Sequence, residues 1–438
     1  MSNIPKIQDD SDAALVGVRA GWLADGNGAC FAPGVLVLRG RTVVTAGSPE
    51  SIGTPGGLES WIDASDSGVM PAMVNAHAHL DLTLVPRIPQ SEHFHDWLGG
   101  VRSARRAMTA DDVRGSIIAG VQLLDAGGVA AIGDIAGINA PAASMEVCAG
   151  AGLEGCVFEE MFGMADRLPM CLASIASMAQ GLKQGLEHGR GQGIEHDQAP
   201  RLRRGIQPHA PYSSDRRVFE AALGSGLPVS THLAESADER RFLTDGTGPF
   251  RDLLESFGLW DGKFEAGARH PVDWMAARLR AAPAVQSGRS TRILCAHLND
   301  VDDPALALLA TLPIDVAYCP RASTFFGHAG HRYREMRAAG VNVCLGTDSA
   351  LNLDTPNRIS TLDDLRLLMR RDQLPLVDAL EMATIAGARA LGLDTSRWDF
   401  SLSPMAGVIA VPLGEHGAPA EFGKTSTAPR WILRPAKN

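Results

Sequence analysis

From residue 70 onward the chain alternates between short apolar runs and longer stretches whose apolar positions recur with a helical period. The runs Met73–His79, Val129–Ile135, Leu153–Met161, Leu202–His209, Leu227–Leu233, Ile293–Leu298, Ile314–Cys319 and Val341–Asp348 read as strands. Between them, Asp111–Ala126, Arg216–Leu223, Arg240–Phe257, Pro304–Thr311 and Arg332–Ala339 read as helices. Strands that alternate with helices pair in parallel, and eight is the number that closes a barrel, so the pattern predicts an α/β fold of the (β/α)8 TIM-barrel class. Two stretches break it and are expected to be loops or insertions: Leu186–Pro200 and Gly258–His270.

The first 70 residues are different. Short β-like runs rich in glycine, Ala14–Val18, Gly34–Leu38 and Thr42–Thr45, resemble two runs at the far end, Gly407–Val411 and Arg430–Leu433. Both termini are therefore expected to build one small β-sandwich domain, 1–70 with 396–438, beside a barrel spanning 71–395.

Composition narrows the function classes. Of 438 residues, 45% are hydrophobic and 21% charged, with a formal net charge of -10. A nucleic-acid binder concentrates basic residues on one face, whereas the basic clusters here, such as Arg201, Arg203 and Arg204, are short and read as solvated surface. The opening segment is polar and acidic, unlike a secretory signal, and no uncharged apolar run approaches the ~18 residues of a membrane span. The expectation is a soluble, cytoplasmic protein that meets a small-molecule substrate, with no membrane or nucleic-acid partner; a homo-oligomer is compatible with the chain. Seven cysteines without a CxxC pair argue against a disulfide framework, and Cys295, Cys319 and Cys344 fall in apolar strands as core residues.

The chemistry sits at the strand ends. His77 and His79 close the first strand; side chains at i and i+2 point the same way, so both aim at the mouth of the barrel. His209 ends the fourth strand, His232 the fifth, His297 the sixth, and Asp348 the eighth. One histidine at a strand end is usually a hydrogen-bonded structural residue. Six polar groups at the same end of a barrel are not explained by a core role. His77, His79, His232 and Asp348 are expected to ligate one divalent transition metal ion, Zn or Fe(II), with a position open for water. Such a metal lowers the pKa of its water toward neutrality. Asp348 can also take the water's proton, Glu235 can shuttle a proton to the substrate, and His297 can orient the nucleophile. Two-metal barrels need a bridging anion, commonly a carbamylated lysine on the fourth strand; the five lysines here all lie away from strand ends, which favours a single ion. A second HxH pair, His93 and His95, has no strand before it and is not expected to bind metal. His188, His196, His270 and His416 are expected in exposed loops, and His328 and His331 are within reach of the mouth without being expected ligands.

These motifs, Asn75–Leu80, Pro208–Tyr212, Thr231–Glu235, His297, Cys319–Arg321 and Leu345–Ser349, resemble those of the amidohydrolase superfamily, in the branch of adenosine-type, S-adenosylhomocysteine and guanine deaminases and triazine hydrolases. The resemblance covers about residues 70–395 and implies the same metal ligands, with His209, Glu235 and His297 handling substrate and protons. Phe94–Leu98, Phe158–Gly163, Phe325–His328 and Asn342–Ser349 are most similar to the aminodeoxyfutalosine deaminases. That implies hydrolytic deamination of a 6-aminopurine nucleoside whose sugar carries a benzoate-bearing extension, a step of menaquinone biosynthesis. An anionic tail needs a cationic partner; Arg321 is the first candidate, and Arg102, Arg105 and Arg106 read mainly as a solvated helix face. Two departures stand out: Pro404–Val411 replaces the Gly-Lys-x-Ala-Asp ending of relatives, and Ser323-Thr324 stands where Ser-Asn is common. The alternatives are another deaminase of this branch, acting on S-adenosylhomocysteine, guanine or cytosine, or a dechlorinating or amide-cleaving hydrolase. A non-catalytic relative is disfavoured by the intact ligand set.

Overall fold

The computed structural model describes residues 13–53, 56–91, 94–191, 201–282 and 292–437, with side chains to residue 184 in the helix that ends at Gly191. Its larger unit is the expected barrel. The strands Met73–His79, Val129–Ala136, Glu154–Met161, Leu202–Pro208, Val229–Leu233, Ile293–His297 and Ile314–Tyr318 pair in parallel, in chain order. The eighth strand does two jobs. Its first segment, Asn342–Leu345, pairs with the seventh strand, and its last, Asp348–Ser349, crosses to the first strand and closes the ring. Gly346 makes the crossing possible: a Cβ there would lie 2.8 Å from His77 Cβ and 3.0 Å from Cys319 Sγ. Asn75 fastens the seam, since its Oδ1 accepts from Thr347 N at 3.1 Å and its Nδ2 donates to Thr347 Oγ1 at 2.7 Å.

Both chain ends form the second unit. The strands Leu15–Ala24, Gly34–Arg39, Thr42–Gly47, Leu58–Pro71, Val408–Pro412 and Arg430–Leu433 are hydrogen-bonded into one sheet around a core that includes Val18, Leu36, Val69 and Val408. The strand Leu58–Pro71 leads almost directly into Met73, and Ala72 N donates to Gly407 O at 2.9 Å. The β domain thereby anchors the start of the first barrel strand, which carries two site histidines.

Three local expectations change. The single helix expected over Arg240–Phe257 is two, Ala237–Asp245 and Pro249–Ser256. Gly246 and Gly248, at φ 72° and 92°, turn the chain between them, and Pro249 can only begin a new helix. The stretch Leu186–Pro200 begins inside a helix, Leu168–Gly191; residues 192–200 lie outside the described residues. His270 is buried, not exposed: its Nδ1 accepts from Val272 N at 3.0 Å, capping the helix Pro271–Ala281, and its Nε2 donates to Asp300 O at 2.8 Å. Gly258–Arg269 is irregular chain, as expected. Among the described residues, no helix is long and apolar enough to cross a membrane.

Candidate active site

The strand ends bring the predicted residues together. His77 lies with ring centroids 5.2 Å from His79, 5.0 Å from His232 and 5.4 Å from His297. Asp348 Oδ1 stands 3.8 Å from His77 Nε2 and 3.5 Å from His79 Nε2. Nitrogens of His77, His79 and His232 lie within 4.8 Å of one another, as do donor atoms of His77, His297 and Asp348. Either set can hold a metal ion.

The hydrogen bonds fit that use. Both ring nitrogens of His77 and Nδ1 of His79 are buried with no hydrogen-bond partner among the described residues, which is costly for a group that needs one. His232 Nδ1 donates to His209 O at 2.9 Å, which fixes its tautomer and leaves Nε2 with a free lone pair. Burial first, and then His232 itself, push the His77 imidazole far below the usual range, so it is neutral, the form that ligates. Asp348 Oδ2 accepts from Asn352 Nδ2 at 2.8 Å, and burial still pushes its carboxyl up to about 7.

The backbone is strained at this rim. Ala234, His297, Leu298 and Asp348 have φ of 50°, 75°, 51° and 58°, a region that side chains other than glycine's rarely adopt. Such strain persists where the surroundings fix it, and it gathers at functional sites. Leu298 N donates to Leu233 O and Asp300 N to Ala234 O, each at 3.0 Å, so the bent segments brace one another.

Glu235 is held by its backbone. Its N–H donates to Glu239 Oε2 at 2.9 Å, and its carbonyl accepts from Asn299 Nδ2 at 3.1 Å. Its carboxyl is left free, 3.5 Å from His297 Nε2. Burial first, then the nearby Asp348 and Glu239, push it well above the ordinary carboxylate range, which favours its proton-carrying form. Ser323 supports this arrangement by donating to Asn299 Oδ1 at 2.8 Å, whereas Thr324 Oγ1 turns back to its own helix and donates to Pro320 O. His331 ring-stacks on Tyr318 and its Nε2 donates to His297 O at 2.7 Å.

His209 follows the fourth strand. Its Nδ1 meets Ser213 Oγ at 2.5 Å, its ring stacks on Phe162, and burial with Arg105 nearby pushes its pKa down to about 3. Its uncharged Nε2 faces the cavity near Glu160, 3.9 Å away. The cavity itself is small, about 50 Å³, with a polar floor and an apolar wall of Leu82, Phe94, Trp97, Leu98 and Val101. Most of that wall belongs to the helix Phe94–Ala107.

Arg321 does not stand where the sequence reading put it. It is buried outside this cavity, with Nε and Nη2 on Asp364 at 3.1 and 2.9 Å, Nη2 also on Ser360 O, and Nη1 on Thr355 Oγ1 at 2.8 Å. Its donors are committed to structure, so the expectation that it meets a substrate anion is withdrawn. The cation that does line the cavity is Arg105, between Asp81 at 3.0 Å and Glu160 at 2.7 Å. His93 lies outside the described residues, and His95 approaches Asp96 away from the cavity. The sequence reading also missed Gln207, whose side-chain amide lies 3.3 Å from His232 Nδ1. Its signal was its place two residues before His209, facing the same way along the fourth strand.

The model of the amidohydrolase family matches residues 69–396. The chain belongs to that family. It is 26% identical over 401 residues to the 5-methylthioadenosine/S-adenosylhomocysteine deaminase of Moorella thermoacetica, covering 87% of this chain and 83% of that protein. It is equally 26% identical over 359 residues to the aminodeoxyfutalosine deaminase of Deinococcus radiodurans, covering 76% of each. Among solved structures, the aminofutalosine deaminase of Helicobacter pylori in complex with methylthio-coformycin superposes with a TM-score of 0.76 at 20% identity, covering 96% of this chain and 98% of that one.

Proposed function

We propose that the protein is a metal-dependent hydrolytic deaminase of a 6-aminopurine nucleoside derivative. The observation that carries this is the pairing of a metal-donor cluster with one buried carboxyl outside it, Glu235, 3.5 Å from His297 at the same strand ends. The unpartnered ring nitrogens of His77 and His79 fit a divalent transition metal, zinc or iron(II), held by His77, His79, His232 and Asp348. When bound there, such an ion acidifies water and so supplies a nucleophile at neutral pH.

The remaining chemistry belongs to the chain. Glu235 donates its proton to the ring nitrogen beside the carbon under attack, which makes that carbon electrophilic. Asp348 accepts a proton from the attacking water, and His297 holds the water's oxygen in line. A proton returned through Glu235 to the departing nitrogen lets it leave as ammonia. Chloride needs no such proton, so a buried carboxyl outside the metal-donor cluster favours an amine leaving group over a halide. Neutral His209 can donate to the substrate from the cavity wall.

The anionic substrate of the aminodeoxyfutalosine deaminases is the finer reading, supported by the Deinococcus relative. An uncharged thioether nucleoside is the second reading, favoured by the apolar wall and the Moorella relative. Ammonia release from a panel of 6-aminopurine nucleosides, with the Glu235→Gln protein as control, tests the class. Release from none of them by protein containing its metal would remove the proposal.

A further inference from the structure

We infer that His331 is a positioning residue for the reaction: the hydrogen bond it donates to the His297 carbonyl holds His297 in the left-handed backbone conformation from which its imidazole meets Glu235. The inference rests on the deaminase reading of the cavity, which gives His297 and Glu235 their tasks.

The sixth barrel strand ends in a conformation that its own residues disfavour. His297 and Leu298 are consecutive and both left-handed, at φ 75° and 51°, where an L side chain crowds the backbone. Two hydrogen bonds hold this turn, one from the side of each neighbouring strand. Leu298 N donates to Leu233 O of the fifth strand at 3.0 Å, and His331 Nε2, from the chain after the seventh, donates to His297 O at 2.7 Å.

The donor is itself fixed. Its ring lies on Tyr318, with centroids 3.7 Å apart and planes 18° from parallel, and Tyr318 Oη accepts from Arg371 Nη2 at 3.0 Å. A carbonyl only accepts, so Nε2 carries the proton. Nδ1 is buried with no hydrogen-bond partner among the described residues, and a second proton there would have nothing to bond. The ring is left with one N–H, and His297 receives it.

The consequence at the site is distance. His297 Nε2 stands 3.5 Å from Glu235 Oε1. Returning the backbone at residue 297 to extended φ would swing the Cα–Cβ bond and carry the imidazole away from that carboxyl. The same segment steadies the other member of the pair, because Ser323 donates to Asn299 Oδ1 and Asn299 Nδ2 to the Glu235 carbonyl. Neither Ser323 nor His331 lines the cavity, so each acts through another residue.

Two substitutions separate the hydrogen bond from the packing. His331→Phe keeps a flat ring on Tyr318 and removes the N–H. His331→Gln gives up the stack and returns an amide N–H with similar reach. In the metal-loaded full chain, releasing ammonia from a 6-aminopurine nucleoside, His331→Phe should lose about tenfold or more in kcat, the scale of one hydrogen bond that places a reacting group. KM and metal content should stay near wild type, and His331→Gln should recover most of the loss. A packing role alone predicts the reverse order, Phe above Gln; that order, or an unchanged kcat in His331→Phe, would overturn the inference. If His331→Phe does not fold, His331→Asn, polar but too short to reach the carbonyl, takes its place, and equal rates for Asn and Gln overturn it. Crystal structures of the metal-loaded variants give a readout that needs no turnover. In His331→Phe, or in its Asn replacement, residue 297 should leave its left-handed φ and its Nε2 its place beside Glu235, whereas His331→Gln should keep both. An unmoved His297 would contradict the inference. No ammonia from any nucleoside with the wild type would strike the deaminase reading, while the crystal structures still decide whether His331 places His297.

Discussion

The barrel has a concavity at each end, and the larger one is the less interesting. At the end where the strands begin, a groove of about 750 Å³ is lined by Arg292, Arg334, Arg337 and Arg389. Each of those arginines is answered: Arg292 by Asp315 at 2.7 Å, Arg337 by Glu381 at 2.5 Å, Arg389 by Asn342 at 3.0 Å, and Arg334 by Tyr333 and the Asp372 carbonyl. At the other end the cavity is about 50 Å³, yet it gathers unpartnered imidazole nitrogens, two carboxyls whose pKa burial raises, and four residues at positive φ at the strand ends. Volume measures what the surface leaves open. Unsatisfied polar atoms and strained backbone mark where the fold has been held away from its own best packing, and that difference identifies the working end.

Substitutions at the two ends should therefore divide sharply. The largest effect is expected from Asp348→Asn, which damages a ligand and a proton acceptor together; kcat should fall by ~1000-fold or more, with metal content reduced. Metal analysis beside steady-state kinetics reads both. Glu235→Gln should lose ~100-fold or more in kcat while keeping its metal, because the carboxyl moves protons and ligates nothing. A near-normal rate in that variant would break the distinction between ligands and proton carrier. At the opposite end, Arg292→Ala should leave kcat/KM unchanged and cost about 1–3 kcal/mol of stability, since it leaves the buried Asp315 short of a partner. A rate loss there would mean the two ends are not separable.

The smallest effect concerns Glu239, which accepts from the backbone of Glu235. Burial pushes its carboxyl up from the ordinary glutamate range to about 8. A group raised in the folded state contributes stability below its unfolded pKa and loses it as pH rises through the folded value. Thermal stability should thus fall between about pH 4.5 and 8, and Glu239→Gln should flatten that slope in a melting series.

The strands and the polar residues that end them were legible in the sequence because two periodicities and one rule suffice: strands alternate with helices, and function sits at the carboxyl ends. What was not legible depends on partners far along the chain. Arg321 follows a strand like the other site residues, but Asp364, which claims it, lies in the helix Thr361–Asp372, beyond the last predicted strand. Arg105 looked like one of several arginines on a polar helix, and only the fold reveals that Asp81 and Glu160 draw it into the cavity. His270 carries no local mark of its role, because the carbonyl it reaches is 30 residues away. Nor does hydrophobic pattern register the turn at Gly248, where φ is 92°.

The central claim is that one ion and one proton-carrying carboxyl make this end of the barrel a deaminase. It is tested most directly by stripping the protein of metal and titrating zinc or iron(II) back while following ammonia release from a 6-aminopurine nucleoside. The account predicts that activity rises with added metal and levels off at about one equivalent per chain. A second equivalent required for full activity, or no ammonia at any loading, would contradict it.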